Sequence, residues 1–279
     1  MKDCFPAPAH PACLHLCLQY WNIPAPDDIN ARLDYLEANG YEAVEFATGD
    51  WLLSNADAFA KALEGRSLAV ATACGFSDFS YADAAKRDAE VEKFLPQIDI
   101  LGGLHSAGLI VCPARAKPEL PFPELRRDFV ENTGRRLAER AAAAGTAIVL
   151  EPLRREETPF LRQVADAAMM AQDIGPGATA MGDFWHMARE ETSDYGAFCS
   201  AGPLLRHVHI ASLLTRRVPG CDGAADDYVD GFRALKRLGY PGAVSFEGGF
   251  PEGCDSDADR HALLVRMSAL LREQWAMAD

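Results

Sequence analysis

The sequence lacks a long hydrophobic segment and the common nucleotide-binding motifs. No apolar run among its 279 residues approaches the length of about 18 that spans a bilayer, so we expect no membrane-spanning helix. Neither GxGxxG nor GxxxxGK[ST] occurs, which argues against a Rossmann dinucleotide site and a phosphate-binding P-loop. The opening residues contain several prolines and too short an apolar stretch for a signal peptide. We therefore expect a cytoplasmic protein.

Basic residues and paired cysteines are also scarce. The chain has 27 lysines and arginines against 41 acidic residues, a formal net charge of −14. Nucleic-acid binding requires a basic face, so we predict no nucleic-acid partner, whereas a small neutral ligand remains compatible with this charge. The eight cysteines include no CxxC pair, and we interpret them as reduced thiols.

Short apolar segments alternate with helical patterns along the whole chain. Eight of them are too apolar to have a solvated face, which is typical of buried parallel strands joined by helices. Eight such units at this length predict a (β/α)8 TIM barrel forming a single domain, residues 1–279. A homodimer or homotetramer is compatible with the acidic composition, although no segment demands one. The predicted strands are 14–18, 43–47, 68–73, 107–112, 146–151, 178–183, 205–210 and 243–247, and the predicted helices are 27–38, 55–63, 82–101, 124–144, 160–174, 194–201, 228–238 and 261–275.

The last four predicted strands each end on a metal-ligand residue type. These residues are Glu151, Asp183, His209 and Glu247. The carboxyl ends of barrel strands converge on one face, so the four side chains are expected to share a pocket there. Three carboxylates in one pocket would repel each other strongly without a cation. Three carboxylates and one imidazole suit Mg²⁺, Mn²⁺ or Co²⁺, with Zn²⁺ as a further option.

The same four residues also have a simpler interpretation. Each acid, taken alone, is better explained as a solvated surface group, and His209 as a hydrogen-bonded core histidine. Their occurrence at four successive strand ends favours the metal site. Asp183 is moreover followed three residues later by His186, which we place on the loop just beyond the strand.

The second half of the chain resembles the xylose-isomerase-like TIM barrel superfamily, and within it the ketose 3-epimerases of the D-tagatose and D-psicose type. In topology the resemblance covers roughly residues 30–275, but specific motifs match only in 145–250. One departure concerns the loop after strand seven, where the epimerases usually carry Gly-Glu and this chain has an apolar sequence, 210–214. The matching pieces are Glu151-Pro152-Leu153 with Arg155 and Glu157, Asp183-x-x-His186, His209, Arg216-Arg217-Val218-Pro219-Gly220, Phe232-Arg233-Ala234-Leu235 with Gly239-Tyr240, and Phe246-Glu247.

The resemblance implies a role for each site residue. It implies one divalent metal ion bound by Glu151, Asp183, His209 and Glu247, and a small sugar or polyol-derived substrate. Glu157, His186 and Arg216 would bind the oxygens at the carbonyl end of this substrate. Each of these three has a plainer alternative: His186 as a helix cap, Arg216 as a solvated charge, and Glu157 as a partner of Arg154 or Arg155.

The reaction we hypothesise is epimerisation through a cis-enediolate. One of Glu151 and Glu247 removes a proton beside the carbonyl, and the other returns one from the opposite face. A keto-inositol dehydratase or an aldose–ketose isomerase would use the same fold and metal. An endonuclease IV-type barrel would need more histidine ligands and a basic face. A catalytically silent sugar-binding barrel is the alternative from another functional class.

Overall fold

A computed structural model describes residues 12–115 and 117–279. Its eight strands form one closed barrel in sequence order, each parallel to the next. Closure is made by β1 and β8, where Leu16 stands opposite Val244. The predicted TIM barrel is thereby confirmed. The strands are β1 (His15–Gln19), β2 (Ala43–Ala47), β3 (Ala69–Gly75), β4 (Gly108–Val111), β5 (Ile148–Leu150), β6 (Ala178–Asp183), β7 (Leu205–Ile210) and β8 (Ala243–Phe246).

Ten α-helices connect and cover these strands within the described ranges. A short π-helical segment, Phe129–Thr133, joins α4 to α5, so the long helix expected from the sequence is one helical stretch with a π turn inside it. None of the described helices is long and apolar enough to cross a bilayer. The helices are α1 (Ile29–Ala38), α2 (Asp50–Leu63), α3 (Ala84–Gly103), α4 (Phe122–Asp128), α5 (Gly134–Ala144), α6 (Val164–Ile174), α7 (Phe184–Glu190), α8 (Asp194–Ala201), α9 (Val229–Leu238) and α10 (Asp257–Met277).

Most differences from the predicted elements lie at helix ends. Helix α2 begins five residues earlier than expected, because Asp50 occupies the first turn, where an acidic side chain is favoured by the helix dipole. Helix α10 also begins earlier, since Ser256 caps it by accepting from the backbone N–H of Asp259. Helix α6 begins later than expected, at Val164, and the buried Phe160 before it packs from an irregular segment.

Helix α7 is an α-helix in a segment that we predicted to be a loop. It begins directly after β6, and the Asp183 carboxylate at its N-cap accepts from the backbone N–H of Trp185. An aspartate N-cap of this kind satisfies one of the free backbone donors of the first turn. His186 therefore lies in a helical turn, not on a loop.

Successive side chains along a barrel strand point alternately toward the surrounding helices and into the barrel interior. Val44, Phe46 and Val208 belong to the apolar core cluster, as do residues from the surrounding helices. Glu45 on β2 stands between the first two in sequence, and it contacts His207 of β7 with a distance of 2.7 Å. Since β2 and β7 are not neighbours in the sheet, this contact crosses the barrel interior.

The cysteines of the described ranges carry no disulfide. Seven of them are free thiols, and Cys17, Cys74 and Cys112 among these are buried. Cys4 lies outside the described residues, as does most of the proline-rich opening segment.

Candidate metal centre

The carboxyl ends of β5 to β8 bring four acidic and imidazole side chains together, as the sequence led us to expect. We call this group the mouth cluster: Glu151, Asp183, His209 and Glu247. One ligand atom from each lies within 4.8 Å of those of the others. Parallel barrel strands all end on the same face, so side chains at their carboxyl ends lie at the same end of the barrel. The cluster is therefore a consequence of topology, with one contribution from each of four consecutive strands.

The donor atoms of the mouth cluster fit a divalent cation. Asp183 Oδ2 and His209 Nδ1 are buried and make no hydrogen bond to any described residue. Nδ1 of His209 lies 3.2 Å from Glu247 Oε2 and 3.7 Å from Glu151 Oε1. Buried polar atoms normally have hydrogen-bond partners, so two buried atoms without one in the same cluster indicate a site for a cation. Three carboxylates and one imidazole are a suitable donor set for Mn²⁺, Mg²⁺ or Co²⁺.

Neighbouring groups orient the carboxylates of the mouth cluster. The Cys112 thiol donates to Glu151 Oε2 over 3.3 Å, which leaves Oε1 facing His209. Asp183 uses Oδ1 to cap α7, which leaves Oδ2 facing the cluster. Glu151 and Asp183 are thus each held by one oxygen and present the other.

Charge at the mouth is partly balanced by Arg216. Its guanidinium lies 2.5 Å from Glu247 Oε2 and 3.5 Å from Asp183 Oδ2. Burial raises the pKa of Asp183 despite the opposing charges of His186 and Arg216. Burial also acts to raise the pKa of Glu247, but the charges of His209 and Arg216 outweigh it and lower that pKa. Glu247 is accordingly stabilised as an anion. For Asp183, the neighbouring positive charges do not fully offset the cost of ionising a buried carboxyl group.

The three side chains expected to bind substrate border the same cluster. His186 Nε2 lies 3.5 Å from Asp183 Oδ2, and its Nδ1 accepts from the backbone N–H of Arg154. Glu157 accepts from Arg154 over 2.9 Å and has the guanidinium of Arg216 at 4.0 Å. The pairing of Glu157 with Arg154, which we considered as an alternative to a binding role, is present. It does not remove Glu157 from the rim of the cluster.

Arg216 is held over the cluster by backbone and side-chain contacts. Its φ of 54° lies in the left-handed region, which is uncommon for a residue with a side chain and occurs often at functional sites. Its carbonyl accepts from the backbone N–H of Gly249, on the loop after β8. Its guanidinium lies 4.4 Å from the ring centre of Trp185, and those of Arg154 and Arg189 pack on the same ring. Such cation–π contacts fix the direction of the Arg216 side chain.

A second polar group, directly beneath the mouth cluster, was missed by sequence reasoning. We call it the inner cluster: Glu45, His207, Thr72, Gln19 and Cys74, all buried. Its centre is the fully buried Glu45, which also contacts Nε2 of His209 at 2.9 Å. The available signal was an acid in the middle of an otherwise apolar strand, Ala43–Ala47, and a second histidine two residues before His209.

Comparisons with known proteins agree with this fold. The family model described as "Xylose isomerase-like TIM barrel" matches residues 33–272. The chain is 29% identical over 238 residues to the 3-dehydro-D-guloside 4-epimerase of Escherichia coli K12, covering 80% of this chain and 88% of that protein. It is 30% identical over 184 residues to the L-ribulose 3-epimerase of Methylomonas sp. strain DH-1, covering 65% of this chain and 62% of that protein.

A solved structure agrees as well. The apo crystal structure of a 3-keto-D-glucoside 4-epimerase from E. coli superposes with a TM-score of 0.81 at 25% identity, covering 92% of this chain and 100% of that one. The family model spans most of the barrel, including all four strands that carry the mouth cluster. This chain belongs to the xylose isomerase-like TIM barrel family.

Proposed function

We propose that this chain is a divalent-metal-dependent epimerase of keto sugars. The observation that carries the proposal is the convergence of Glu151, Asp183, His209 and Glu247 at the barrel mouth, with ligand atoms within 4.8 Å of one another. Two of those atoms, on Asp183 and His209, are buried without a hydrogen-bond partner among the described residues. A silent sugar-binding barrel would have no need to maintain such a costly arrangement.

The substrate class follows from the chemistry that the relatives share. One is named a 3-dehydro-D-guloside 4-epimerase and another an L-ribulose 3-epimerase. In both named reactions the inverted carbon is adjacent to a ketone, and a hydrogen on such a carbon is acidified by the carbonyl. We therefore propose a ketose or a keto-glycoside as substrate, with inversion at the carbon beside the carbonyl.

Glu151 and Glu247 are the proposed proton carriers. A divalent ion bound in the mouth cluster would polarise the carbonyl and stabilise negative charge on the substrate oxygens. One glutamate removes the proton beside the carbonyl, which leaves the substrate as a cis-enediolate. The other delivers a proton to the opposite face and inverts the centre. Glu151 and Glu247 come from β5 and β8, which are not adjacent in the barrel, so they approach a bound sugar from different sides.

His186, Glu157 and Arg216 are proposed to bind substrate oxygens. His186 Nε2 has no hydrogen-bond partner among the described residues, so it is available to a hydroxyl. Arg216 and Glu157 stand within 4.0 Å of each other at the rim and offer a donor and an acceptor. Arg216 also adds positive charge beside the oxygens that become negative during the reaction.

The test combines metal analysis with exchange of solvent deuterium. Protein loaded with Mn²⁺, Mg²⁺, Co²⁺ or Zn²⁺ is incubated in D₂O with a panel of ketoses and 3-keto-glycosides, and the products are analysed by mass spectrometry and NMR. We expect metal-dependent incorporation of one deuterium at the inverted carbon. Glu151→Gln and Glu247→Gln should abolish net epimerisation, whereas Glu156→Gln, an exposed acid on the same loop as Glu151, serves as the matched control.

The same assay separates the rival activities. Loss of water from a keto-inositol would lower the product mass and identify a dehydratase. Conversion between an aldose and a ketose would identify an isomerase. Undiminished exchange in both glutamine variants would remove Glu151 and Glu247 as proton carriers.

A further inference from the structure

The fully buried carboxylate of Glu45 lies in the barrel interior, one layer beneath the mouth cluster, and contacts that cluster through His209. An ionised carboxylate inside a protein core is costly unless several donors compensate it. Five donors from three other strands do so here. Oε1 accepts from Gln19 Nε2 at 2.8 Å and Cys74 Sγ at 3.3 Å, and Oε2 accepts from Thr72 Oγ1 at 2.7 Å, His207 Nε2 at 2.7 Å and His209 Nε2 at 2.9 Å.

The contact with His209 fixes which ring nitrogen faces the mouth. A carboxylate can only accept, so the nitrogen at 2.9 Å from Glu45, Nε2, carries the hydrogen. This leaves Nδ1 as the nitrogen that can offer a lone pair to a metal ion, and Nδ1 is the atom that faces Glu151 and Glu247. A metal ion can bind only such a lone pair.

Glu45, His207 and His209 also place ligand atoms within 4.8 Å of one another, but the Glu45 carboxylate has no free oxygen for a second cation. Each oxygen of Glu45 already has at least two donors, so a metal ion there would have to displace hydrogen bonds within a dry interior. The mouth cluster differs, since its Asp183 carboxylate keeps one oxygen, Oδ2, without a hydrogen-bond partner in the described part of the chain. Glu45 is therefore better placed to support a ligand than to be one.

We infer that Glu45 is a positioning residue for the metal centre, which acts through His209 by fixing its tautomer, holding its ring and increasing the basicity of Nδ1. Carboxylates hydrogen-bonded to a metal-ligating histidine have this effect, and their loss typically weakens metal affinity by about 10–100-fold. The inference rests on the proposed metal site. The hydrogen-bond network of Gln19, Cys74, Thr72 and His207 keeps Glu45 in place.

The experiment measures Mn²⁺ and Co²⁺ affinity of metal-free wild type, Glu45→Gln and Glu42→Gln. Glu42 is the matched control, because it precedes the same strand at the opposite end of the barrel and accepts from the backbone N–H of Leu16. We expect Glu45→Gln to weaken affinity by about 10–100-fold and to change the Co²⁺ absorption spectrum, and Glu42→Gln to do neither. Equal affinity and equal spectra in wild type and Glu45→Gln would overturn the inference.

A second measurement uses the wild type alone and does not depend on the variant folding. In Zn²⁺-loaded protein, ¹H–¹⁵N correlation of the imidazoles should find His209 protonated at Nε2 and unprotonated at Nδ1. A hydrogen on Nδ1 would contradict the role of Glu45. If the wild type bound no divalent ion at all, the proposed function would fail with the inference, whereas a tight wild-type site unaffected by Glu45→Gln would refute only the inference.

Discussion

His209 of the mouth cluster contacts Glu45 of the inner cluster, yet the carboxylates of the two clusters have opposite surroundings. Glu45, at the centre of the inner cluster, has donors on both oxygens, and although burial acts to raise its pKa, the charges and hydrogen bonds of His209 and His207 lower it. In the mouth cluster, Asp183 keeps an unpartnered oxygen and burial raises its pKa. Both carboxylate oxygens of Glu45 are hydrogen-bonded, whereas one oxygen of Asp183 is not.

This difference separates a structural role from a binding role. A buried charge with all its hydrogen bonds formed stabilises one arrangement of the strands around it. Buried acceptors that face one another gain their compensation from a bound cation instead. Removing a charge from the two clusters should consequently have opposite effects on the metal-free protein.

Asp183→Asn should have the largest effect. The amide can still cap α7 through its oxygen, but it replaces a metal ligand, so we expect metal affinity to fall by more than about 100-fold, beyond the usual effect of losing an outer-shell partner. Metal-free Asp183→Asn should be at least as stable as metal-free wild type, since the buried charge is gone. Titration calorimetry and urea unfolding measure the two quantities. A destabilised metal-free variant would contradict the idea that the Asp183 charge, unlike that of Glu45, lacks compensation without metal.

Glu45→Ala should reduce stability even without metal. The substitution leaves five buried donors without their acceptor, and breaking a buried ionic network in this way costs about 3–5 kcal/mol. We expect urea unfolding of the metal-free variant to report a loss of this size. A loss below about 1 kcal/mol would mean that the inner cluster is not the compensated network described here.

Asp194 gives a smaller and pH-dependent test. Burial, followed by the charges of Glu191, Asp230 and Asp227, raises the pKa of Asp194 to about 6 from its usual 3.8. Its folded-state pKa lies above the unfolded value, so its contribution to stability is full below about pH 4 and is lost as the pH rises through 6. Asp194→Asn should thus be more stable than wild type by about 1–2 kcal/mol at pH 8, allowing for partial exposure, and equal to it near pH 4.

The measurement for Asp194 is urea unfolding of metal-free protein at both pH values. An equal difference between variant and wild type at the two pH values would show that Asp194 does not titrate in this range. It would also contradict the comparison with Glu45, in which a buried carboxylate without enough donors has a raised pKa.

The barrel was predictable because its strands are short, apolar and separated by clear helix ends. The predicted bounds of β2, β6, β7 and α8 agree with the structure. Helix α7 was missed because Asp183, read only as a strand-end ligand, is also the N-cap of that helix. The sequence pattern indicated Asp183 as a metal ligand, and it gave no sign that the same carboxylate also caps a helix.

The mouth cluster could be predicted from the sequence, whereas the inner cluster could not. Strand ends converge in every barrel of this kind, so an acid or histidine at the end of a strand can be placed from its position alone. Glu45 lies within its strand, and its partners come from β1, β3 and β7. Which interior side chains meet across a barrel depends on strand register and stagger, and these are not specified by local sequence.

The most direct test of the metal centre is anomalous diffraction from crystals soaked in Mn²⁺. We predict one strong peak at the barrel mouth, about 2 Å from side-chain atoms of Glu151, Asp183, His209 and Glu247, with Nδ1 as the histidine ligand. No peak at the mouth, or a peak bound by Nε2 of His209 beside Glu45, would contradict this prediction.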